Sequence, residues 1–180
     1  MTRHTQPSDA AIKRAKAVRL LLLDVDGVLT DGTIYLNNEG IEAKGFNIKD
    51  GLGLNLLKRA GIEVGIITGR HSAVVAHRAR ELGIGQVVQG CHDKLAAAQV
   101  IAGELSLEMH ELAFAGDDLI DLKLLANVGL ALSVADGVDE VQQVAHHVAT
   151  VPGGRGAVRE MCELILKSQG LWDKAVAPYR

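Results

Sequence analysis

The sequence contains few aromatic residues, few cysteines and few prolines, and each shortage narrows the kinds of protein that it can encode. Aromatic residues make up 3% of the 180 residues, so the core must be built mainly from leucine, valine, isoleucine and alanine. With 20 glycines and only 3 prolines, this composition favours alternating strands and helices over an all-β sandwich. The two cysteines, Cys91 and Cys162, lie far apart and match no CxxC or Cys/His metal pattern. We therefore expect a reduced, cytoplasmic protein with two incidental thiols.

A basic excess and a long apolar run are also absent. The formal net charge of -3 gives no reason to expect a nucleic-acid partner, which would favour a basic surface. Asp24 interrupts the apolar run over residues 20–25, and no stretch approaches the roughly 20 apolar residues of a membrane span. We expect no membrane partner. The length is typical of one domain, which we assign to residues 1–180, with a loose basic arm over 1–17 and a polar tail over 169–180.

Short apolar runs typical of buried parallel strands alternate along the chain with segments of helical periodicity. This alternation predicts an α/β fold with a doubly wound parallel sheet. One helix is further supported by Ser72, a favoured N-cap residue directly before it. The predicted strands cover residues 18–25, 64–68, 86–89, 112–115 and 129–134, and the predicted helices cover 51–60, 73–82, 94–105, 119–126, 138–144 and 156–168.

The segment over residues 33–48 interrupts this alternation. Two short strand-like pieces flank Asn37-Asn38-Glu39-Gly40, whose composition is typical of turns, so we predict a β-hairpin inserted after the first strand. The hairpin is far too small to be a cap domain. Its apolar side chains have little core of their own, which favours packing between subunits in a closed symmetric oligomer. The alternative is a monomer whose hairpin folds back on its own sheet.

Polar residues follow four of the predicted strands at the edge where a parallel sheet binds its ligands. We expect carboxylates, a hydroxyl and an ammonium to converge on one crevice there. The candidates are Asp24 and Asp26 after the first strand, Thr68, Gly69 and Arg70 after the second, Lys94 after the third, and Asp117, Asp118 and Asp121 after the fourth.

These residue types predict magnesium-dependent phosphoryl chemistry. Crowded carboxylates repel one another, and a hard divalent cation such as Mg²⁺ relieves that repulsion while it binds oxygen ligands. The Thr68 hydroxyl, the backbone N–H groups near Gly69 and the Lys94 ammonium can donate to a phosphate. Asp24 can then act as a nucleophile, because the cation and Lys94 reduce its repulsion of the phosphoryl group.

The ordered set of motifs resembles the four motifs of the haloacid dehalogenase-like hydrolases. The resemblance implies that Asp24 is the nucleophile and a metal ligand. It implies that Asp26 is the general acid and base and offers its backbone carbonyl to the metal. Thr68 and Lys94 would hold the phosphoryl group. The matching segments are Asp24-Val25-Asp26-Gly27-Val28-Leu29-Thr30, Thr68, Lys94 and Gly116-Asp117-Asp118 with Asp121.

The same resemblance makes Asp117 a metal ligand and leaves the roles of Asp118 and Asp121 open. Either can be the second ligand or an outer-shell support, and Asp118 can also be an ordinary helix N-cap. Lys94 by itself can be an exposed lysine at a helix start, and the order of the motifs is what favours its place in the site. Cys91 next to His92 has no predicted base, so we set aside a thiol nucleophile.

A closer resemblance, over most of the chain, is to the family of 3-deoxy-D-manno-octulosonate (KDO) 8-phosphate phosphatases, which lack a cap domain. It implies hydrolysis of that small phosphorylated sugar acid for lipopolysaccharide biosynthesis. It also implies a homotetramer in which neighbouring subunits complete each site. One departure is Lys123, where the family usually has proline. The matching segments are DVDGVLTDG (24–32), FNIKDGLGL (46–54), TGR (68–70), GDDLIDL (116–122), VAD (134–136) and GGRGAVR (153–159).

Three arginines are further candidates for substrate binding. The resemblance favours contacts of Arg70 and Arg78 with the substrate's carboxylate or phosphate, although both can be plain surface charges. Arg155, on the glycine-rich segment 153–156, is expected near the ligand in the assembled oligomer, and the alternative is a simple turn.

Two other functions remain open. A phosphatase for a nine-carbon sugar-acid 9-phosphate of the sialic-acid type would share the hairpin and the four motifs. A phospho-aspartate receiver module also uses Asp, Mg²⁺, Thr and Lys on a doubly wound sheet. Receivers, however, place an acid pair before the phosphorylated aspartate, whereas here the pair Asp117-Asp118 comes late.

Overall fold

The computed structural model of the protein describes residues 6–180, and its centre is a sheet of six parallel strands in the order β5-β4-β1-β6-β7-β8. A separate antiparallel pair, β2 and β3, lies between the first strand and the first long helix. The strands are β1 Leu20–Leu23, β2 Tyr35–Leu36, β3 Glu42–Ala43, β4 Glu63–Ile67, β5 Gln86–Val88, β6 Leu112–Gly116, β7 Leu130–Ser133 and β8 His147–Val148.

Helices cover both faces of the six-stranded sheet. Along β1, Leu21 and Leu23 belong to the core on the side of α2 and α7, whereas Leu20 and Leu22 belong to the core on the side of α4 and α5. All four leucines are fully buried, which explains why this strand is a continuous apolar run. The helices are α1 Asp9–Ala15, α2 Ile48–Arg59, α3 Ala73–Glu81, α4 Lys94–Glu104, α5 Leu122–Leu125, α6 Asp139–Val144, α7 Ala157–Ser168 and α8 Trp172–Val176.

The predicted doubly wound α/β fold is confirmed, and its topology creates a crevice. After β1 the chain adds β4 and β5 on one side, and it then crosses to β6, β7 and β8 on the other side. The register pairs Leu23 of β1 with Ile66 of β4 and with Ala115 of β6. The residues that follow these three strands therefore emerge side by side at a topological switch point, where ligands bind in such sheets.

The inserted hairpin is also present. Tyr35 pairs with Ala43 and Leu36 with Glu42, and the side-chain oxygen of Asn37 accepts hydrogen bonds from two backbone N–H groups of the turn. No cap domain accompanies it in the part of the chain that the structure describes. Four large apolar residues of this hairpin are about half exposed or more, namely Ile34, Tyr35, Leu36 and Ile41.

Helices are present near both ends of the described part of the chain. The loose arm over residues 1–17 is a wrong prediction for 9–15, which form α1; residues 1–5 lie outside the described part. Ser8 caps this helix, and Ala11 and Ala15 are fully buried. The Gln169 side-chain amide donates to the carbonyls of Ala15 (2.9 Å) and Val18 (2.8 Å). The predicted tail contains α8, whose Trp172 packs against the core.

Smaller differences concern the ends of elements. Helix α2 begins at Ile48, earlier than predicted, because the Asn47 side chain accepts a hydrogen bond from the Lys49 N–H as an N-cap. The helix expected over 119–126 is divided into a 3₁₀ turn, Leu119–Asp121, and the short α5. Strand β8 was not predicted. Within residues 6–180, no helix is long and apolar enough to cross a membrane.

Candidate active site

A buried group of three charged side chains lies at the carboxyl ends of β1 and β6. The Lys94 Nζ is 2.9 Å from Asp24 Oδ1 and 2.6 Å from Asp121 Oδ1. Asp24 and Lys94 are each 4% exposed and Asp121 is fully buried. Burial acts to lower the pKa of Lys94, but the carboxylates of Asp24 and Asp121 outweigh it and hold that pKa above its usual value. The lysine is therefore a permanent cation between two carboxylates.

Asp117 adds a further carboxylate to this group. Asp24, Asp117 and Asp121 each offer one carboxylate oxygen, and these oxygens lie within 4.8 Å of one another. Burial, followed by the charges of Asp24 and Asp121, raises the pKa of Asp117 to about 7. Burial also raises the pKa of Asp24 to about 6, although Lys94 opposes the shift. The carboxylates repel one another despite the lysine.

This arrangement fits a hard divalent cation. Asp117 Oδ1 is buried and has no hydrogen-bond partner within residues 6–180, which is the state of an oxygen that a cation would satisfy. Both carboxylate oxygens of Asp121 already have partners in the protein. Its Oδ1 accepts a hydrogen bond from Lys94, and its Oδ2 accepts hydrogen bonds from the N–H groups of Asp117 (3.0 Å) and Asp118 (3.3 Å). Asp24 and Asp117 are therefore the side chains with the capacity to hold an ion.

Asp118 lies outside this group. It is exposed, and its Oδ1 accepts a 2.7 Å hydrogen bond from the Leu119 N–H at the start of the 3₁₀ turn. Asp121 reaches back to the Asp118 N–H, which completes a capping box. The geometry therefore separates the two residues that the sequence left undecided: Asp121 lies beside Asp24 and Asp117, and Asp118 caps a turn.

Glycines permit the close approach of these acids. Gly27 has φ +95°, and a Cβ there would lie 1.9 Å from Asp117 Oδ2. A Cβ on Gly116 would lie 2.5 Å from the Asp121 Cβ, and one on Gly153 would lie 1.7 Å from the Gly27 carbonyl oxygen. Each of these positions requires the absence of a side chain. The loop after β1 is thus held between Asp117 and the glycine-rich segment.

A second charged group surrounds Asp26 at the mouth of the crevice. Lys44, from the end of the hairpin, contacts Asp26 Oδ1 and lies 3.0 Å from Glu42 Oε1. Arg70 lies 3.1 Å from Glu42 Oε1 and 3.7 Å from Asp26 Oδ2. The Ser72 hydroxyl, followed by Lys44 and Arg70, lowers the pKa of Glu42 to about 2 despite partial burial.

Lys44 and Glu42 were missed by the sequence analysis. Their spacing indicates that they share one face of a strand, because residues two apart lie on the same side, but it does not indicate that this face points toward Asp26. Arg70, in contrast, was expected in the site and lies at its mouth, with its side chain 48% exposed.

Thr68 also lies at the crevice, one residue after β4. It is 2% exposed. Two backbone hydrogen bonds fix its position: the Thr68 N–H donates to the Val88 carbonyl, and the Cys91 N–H donates to the Thr68 carbonyl. The Thr68 hydroxyl accepts a long 3.5 Å hydrogen bond from the Arg70 N–H. Gly69 lies between Thr68 and Arg70 in the chain, and a Cβ added to it would lie 3.7 Å from the Cys91 carbonyl oxygen.

The structure does not bring Arg78 and Arg155 to the carboxylates. Arg78 lies beside the Phe46 ring and donates to Glu81 at 2.8 Å, and it lines a cavity of only about 10 Å³. Arg155 is two-thirds exposed and lies 3.6 Å from Asp31 Oδ2, at a separate depression of about 230 Å³. Within one chain, both predictions of substrate contact therefore lack support.

Proteins of known family resemble this chain in both sequence and fold. The profile of a family described as haloacid dehalogenase-like hydrolase matches residues 82–159. The chain is 46% identical over 162 residues to the 3-deoxy-D-manno-octulosonate 8-phosphate phosphatase of Yersinia pestis, covering 90% of this chain and 87% of that protein. It is 45% identical over 164 residues to the enzyme of that name from Escherichia coli K12, covering 91% and 87%.

A solved structure from Moraxella catarrhalis is similar throughout. It is a 3-deoxy-D-manno-octulosonate 8-phosphate phosphatase in complex with a magnesium ion, a phosphate ion and a KDO molecule. The TM-score is 0.92 and the identity is 46%, with 94% of this chain and 98% of that chain covered. A cobalt-bound enzyme of the same kind from Haemophilus influenzae gives a TM-score of 0.85 at 35% identity, covering 87% and 92%.

The Gly27 contact yields a test of the cation site. In Gly27→Ala the new methyl group must displace the Asp117 carboxylate, so Mg²⁺ affinity should fall by roughly 10–100-fold, the usual effect of disturbing the groups around a metal ligand. Isothermal titration calorimetry would measure it. Gly61→Ala is the matched control, because Gly61 has φ +87° and no atom of the described residues lies within 4 Å of an added Cβ. Equal Mg²⁺ affinity in the two variants would contradict the proposed crowding.

Proposed function

Because the chain belongs to the 3-deoxy-D-manno-octulosonate 8-phosphate phosphatase family of haloacid dehalogenase-like hydrolases, we propose that it hydrolyses KDO 8-phosphate to KDO and phosphate. The product would serve lipopolysaccharide biosynthesis in the cytoplasm. The observation that carries this proposal is the buried group at the switch point, where the Asp24 carboxylate lies against Lys94 and within reach of Asp117. A nucleophilic carboxylate beside a cation, with free oxygens for a metal, is what phosphoryl transfer to an aspartate requires.

In the first step, Asp24 attacks the phosphorus atom. A bond forms between a carboxylate oxygen and phosphorus, the bond from phosphorus to the C8 oxygen breaks, and Asp26 gives a proton to the leaving alkoxide. In the second step, Asp26 takes a proton from water, and the water oxygen attacks the aspartyl phosphate to release phosphate and restore Asp24. Asp26 is suited to both steps because it lies two residues after Asp24, at the open side of the crevice.

Lys94 and Thr68 would hold the transferred group. The Lys94 ammonium is already fixed by Asp121, so it can donate to a phosphoryl oxygen without being ordered first. Among residues 6–180, the Thr68 hydroxyl takes part in one long hydrogen bond, as an acceptor, and it remains available as a donor. Arg70, at the mouth, is placed for the anionic part of the substrate that extends outward.

Asp24 and Asp117 would hold Mg²⁺, together with the backbone carbonyl of Asp26, and Asp121 would support them through Lys94 and the Asp117 N–H. A bound Mg²⁺ supplies charge that stabilises the developing phosphoryl oxyanions and lets Asp24 remain ionised at neutral pH.

We also propose a homotetramer in which neighbouring subunits complete each site. The exposed apolar side chains of the hairpin support association, because a hairpin edge with such residues is unstable in water. Within residues 6–180, no cap domain covers the crevice, so a neighbouring subunit would have to enclose the substrate. Arg155 and Arg78, which do not reach the carboxylates of their own chain, would contribute to substrate binding in the assembly.

The test of the function is release of phosphate by the purified protein. KDO 8-phosphate should be hydrolysed in Mg²⁺ much faster than a nine-carbon sugar-acid 9-phosphate, and exhaustive EDTA treatment should abolish the activity until Mg²⁺ is returned.

Asp24→Asn should remove essentially all turnover, because an amide neither attacks phosphorus nor carries the charge that binds the metal. Asp173→Asn is the control, since Asp173 lies exposed on α8. Turnover after complete removal of the metal, or in Asp24→Asn, would refute the mechanism.

The assembly has a separate test. Sedimentation at micromolar concentration should give four times the 19.1 kDa of one chain. Leu36→Asp should yield smaller species, because it places a charge in the proposed interface. Val100→Asp should not, because Val100 is equally exposed but lies on α4, away from the hairpin. A fully active wild-type monomer would show that the hairpin has another role.

A further inference from the structure

Lys44 is a buried cation that the reaction as described does not use. Its side chain is 1% exposed, and its ammonium lies between Asp26 Oδ1 and Glu42 Oε1. Withdrawing a lysine from water costs free energy that is recovered only when the ammonium is well paired. Its position against the residue assigned to proton transfer calls for a specific role.

The other partner of Lys44 is firmly anchored. Glu42 lies 3.1 Å from the Arg70 guanidinium, and the Ser72 hydroxyl contributes most to the lowered pKa of its carboxyl group. Ser72 is itself fixed, as the N-cap of α3 and through its N–H, which donates to Gln89 Oε1 at 2.6 Å. Lys44 is therefore held beside Asp26 by a carboxylate that is itself paired with Arg70.

We infer that Lys44 is a positioning residue that holds the Asp26 carboxylate for both proton transfers. This inference rests on the proposed function. The ammonium contacts Asp26 Oδ1, whereas Arg70 lies 3.7 Å from Oδ2, beyond hydrogen-bond distance. Oδ2 is therefore the oxygen that exchanges the proton with the leaving alkoxide and then with water. The hairpin thus contributes, through Lys44, the contact that orients the acid–base residue in a fold without a cap domain.

The positioning role makes a prediction that a purely structural role does not make. An alkyl phosphate such as KDO 8-phosphate has a poor leaving group that needs the proton from Asp26, whereas p-nitrophenyl phosphate has a good leaving group that does not. For each substrate, kcat/KM reports the step that expels the leaving group. A variant that misplaces Asp26 must lose activity selectively toward the alkyl phosphate.

The experiment compares wild type, Lys44→Met and Asp26→Asn, with Lys13→Met as the exposed-lysine control on α1. Methionine keeps the unbranched stem and removes the ammonium. In Lys44→Met, kcat/KM for KDO 8-phosphate should fall about 10–100-fold, in keeping with the cost of a misplaced catalytic group. The fall with p-nitrophenyl phosphate should be much smaller. The double variant Asp26→Asn/Lys44→Met should be no slower than Asp26→Asn alone, because Lys44 acts through Asp26.

Each outcome is decisive. Equal losses on the two substrates, multiplying losses in the double variant, or activity in Lys44→Met equal to that of Lys13→Met would overturn the role of Lys44 and leave the proposed function intact. A wild-type protein that releases phosphate from neither substrate would overturn both. If Lys44→Met does not fold, Glu42→Gln removes the charge that holds Lys44 and should show the same selective loss to a smaller extent.

Discussion

The site depends on one ammonium group surrounded by carboxylates. Lys94 lies between Asp24 and Asp121, and the Asp121 carboxylate in turn holds the backbone N–H of Asp117. An unpaired charge at this depth would be costly, so the lysine and the acids stabilise one another only as a set. The acids outnumber the lysine, and their remaining repulsion is what a cation would relieve. The pairing of Lys94 with Asp24 and Asp121 therefore holds the proposed nucleophile and the loop that carries Asp117 in place. It also leaves an excess of negative charge that a metal ion would neutralise.

Backbone contacts hold this charged group together from the outside. Gly27 leaves room for Asp117, and Gly153 lies against the Gly27 carbonyl, so two loops far apart in sequence meet without side chains between them. The second loop leads into α7, whose first turn is fixed by the Asp50 carboxylate, which accepts from the Arg159 N–H at 2.7 Å. Helices α2 and α7 thus determine where the loop after β1 lies. A fold without a cap domain can organise its site in this way because the loops are short and tightly packed.

Much of this could be predicted from the sequence, because strand ends and glycines are local signals. The apolar runs that form β1, β4 and β6 predict that Asp24, Thr68 and Asp117 lie at one edge of the sheet. The roles of Asp118 and Asp121 could not be separated, because both follow the strand and only the 3₁₀ turn decides which one faces inward. Lys44 could not be assigned to the site, since a hairpin's sequence does not reveal which way it leans. Arg78 was placed in the site by resemblance, yet in one chain its guanidinium lies beside Phe46.

The most direct test of the account is to find the phosphoryl group on Asp24. The enzyme should be mixed with KDO 8-phosphate and Mg²⁺, quenched in acid within one turnover and treated with borohydride, which reduces an aspartyl phosphate to homoserine. Peptide mass spectrometry should then detect homoserine at position 24. With p-nitrophenyl phosphate, whose leaving group needs no proton, the amount should rise in Asp26→Asn, because the water that hydrolyses the intermediate is not activated. Turnover with no homoserine at position 24, or with homoserine at another aspartate, would contradict the central claim.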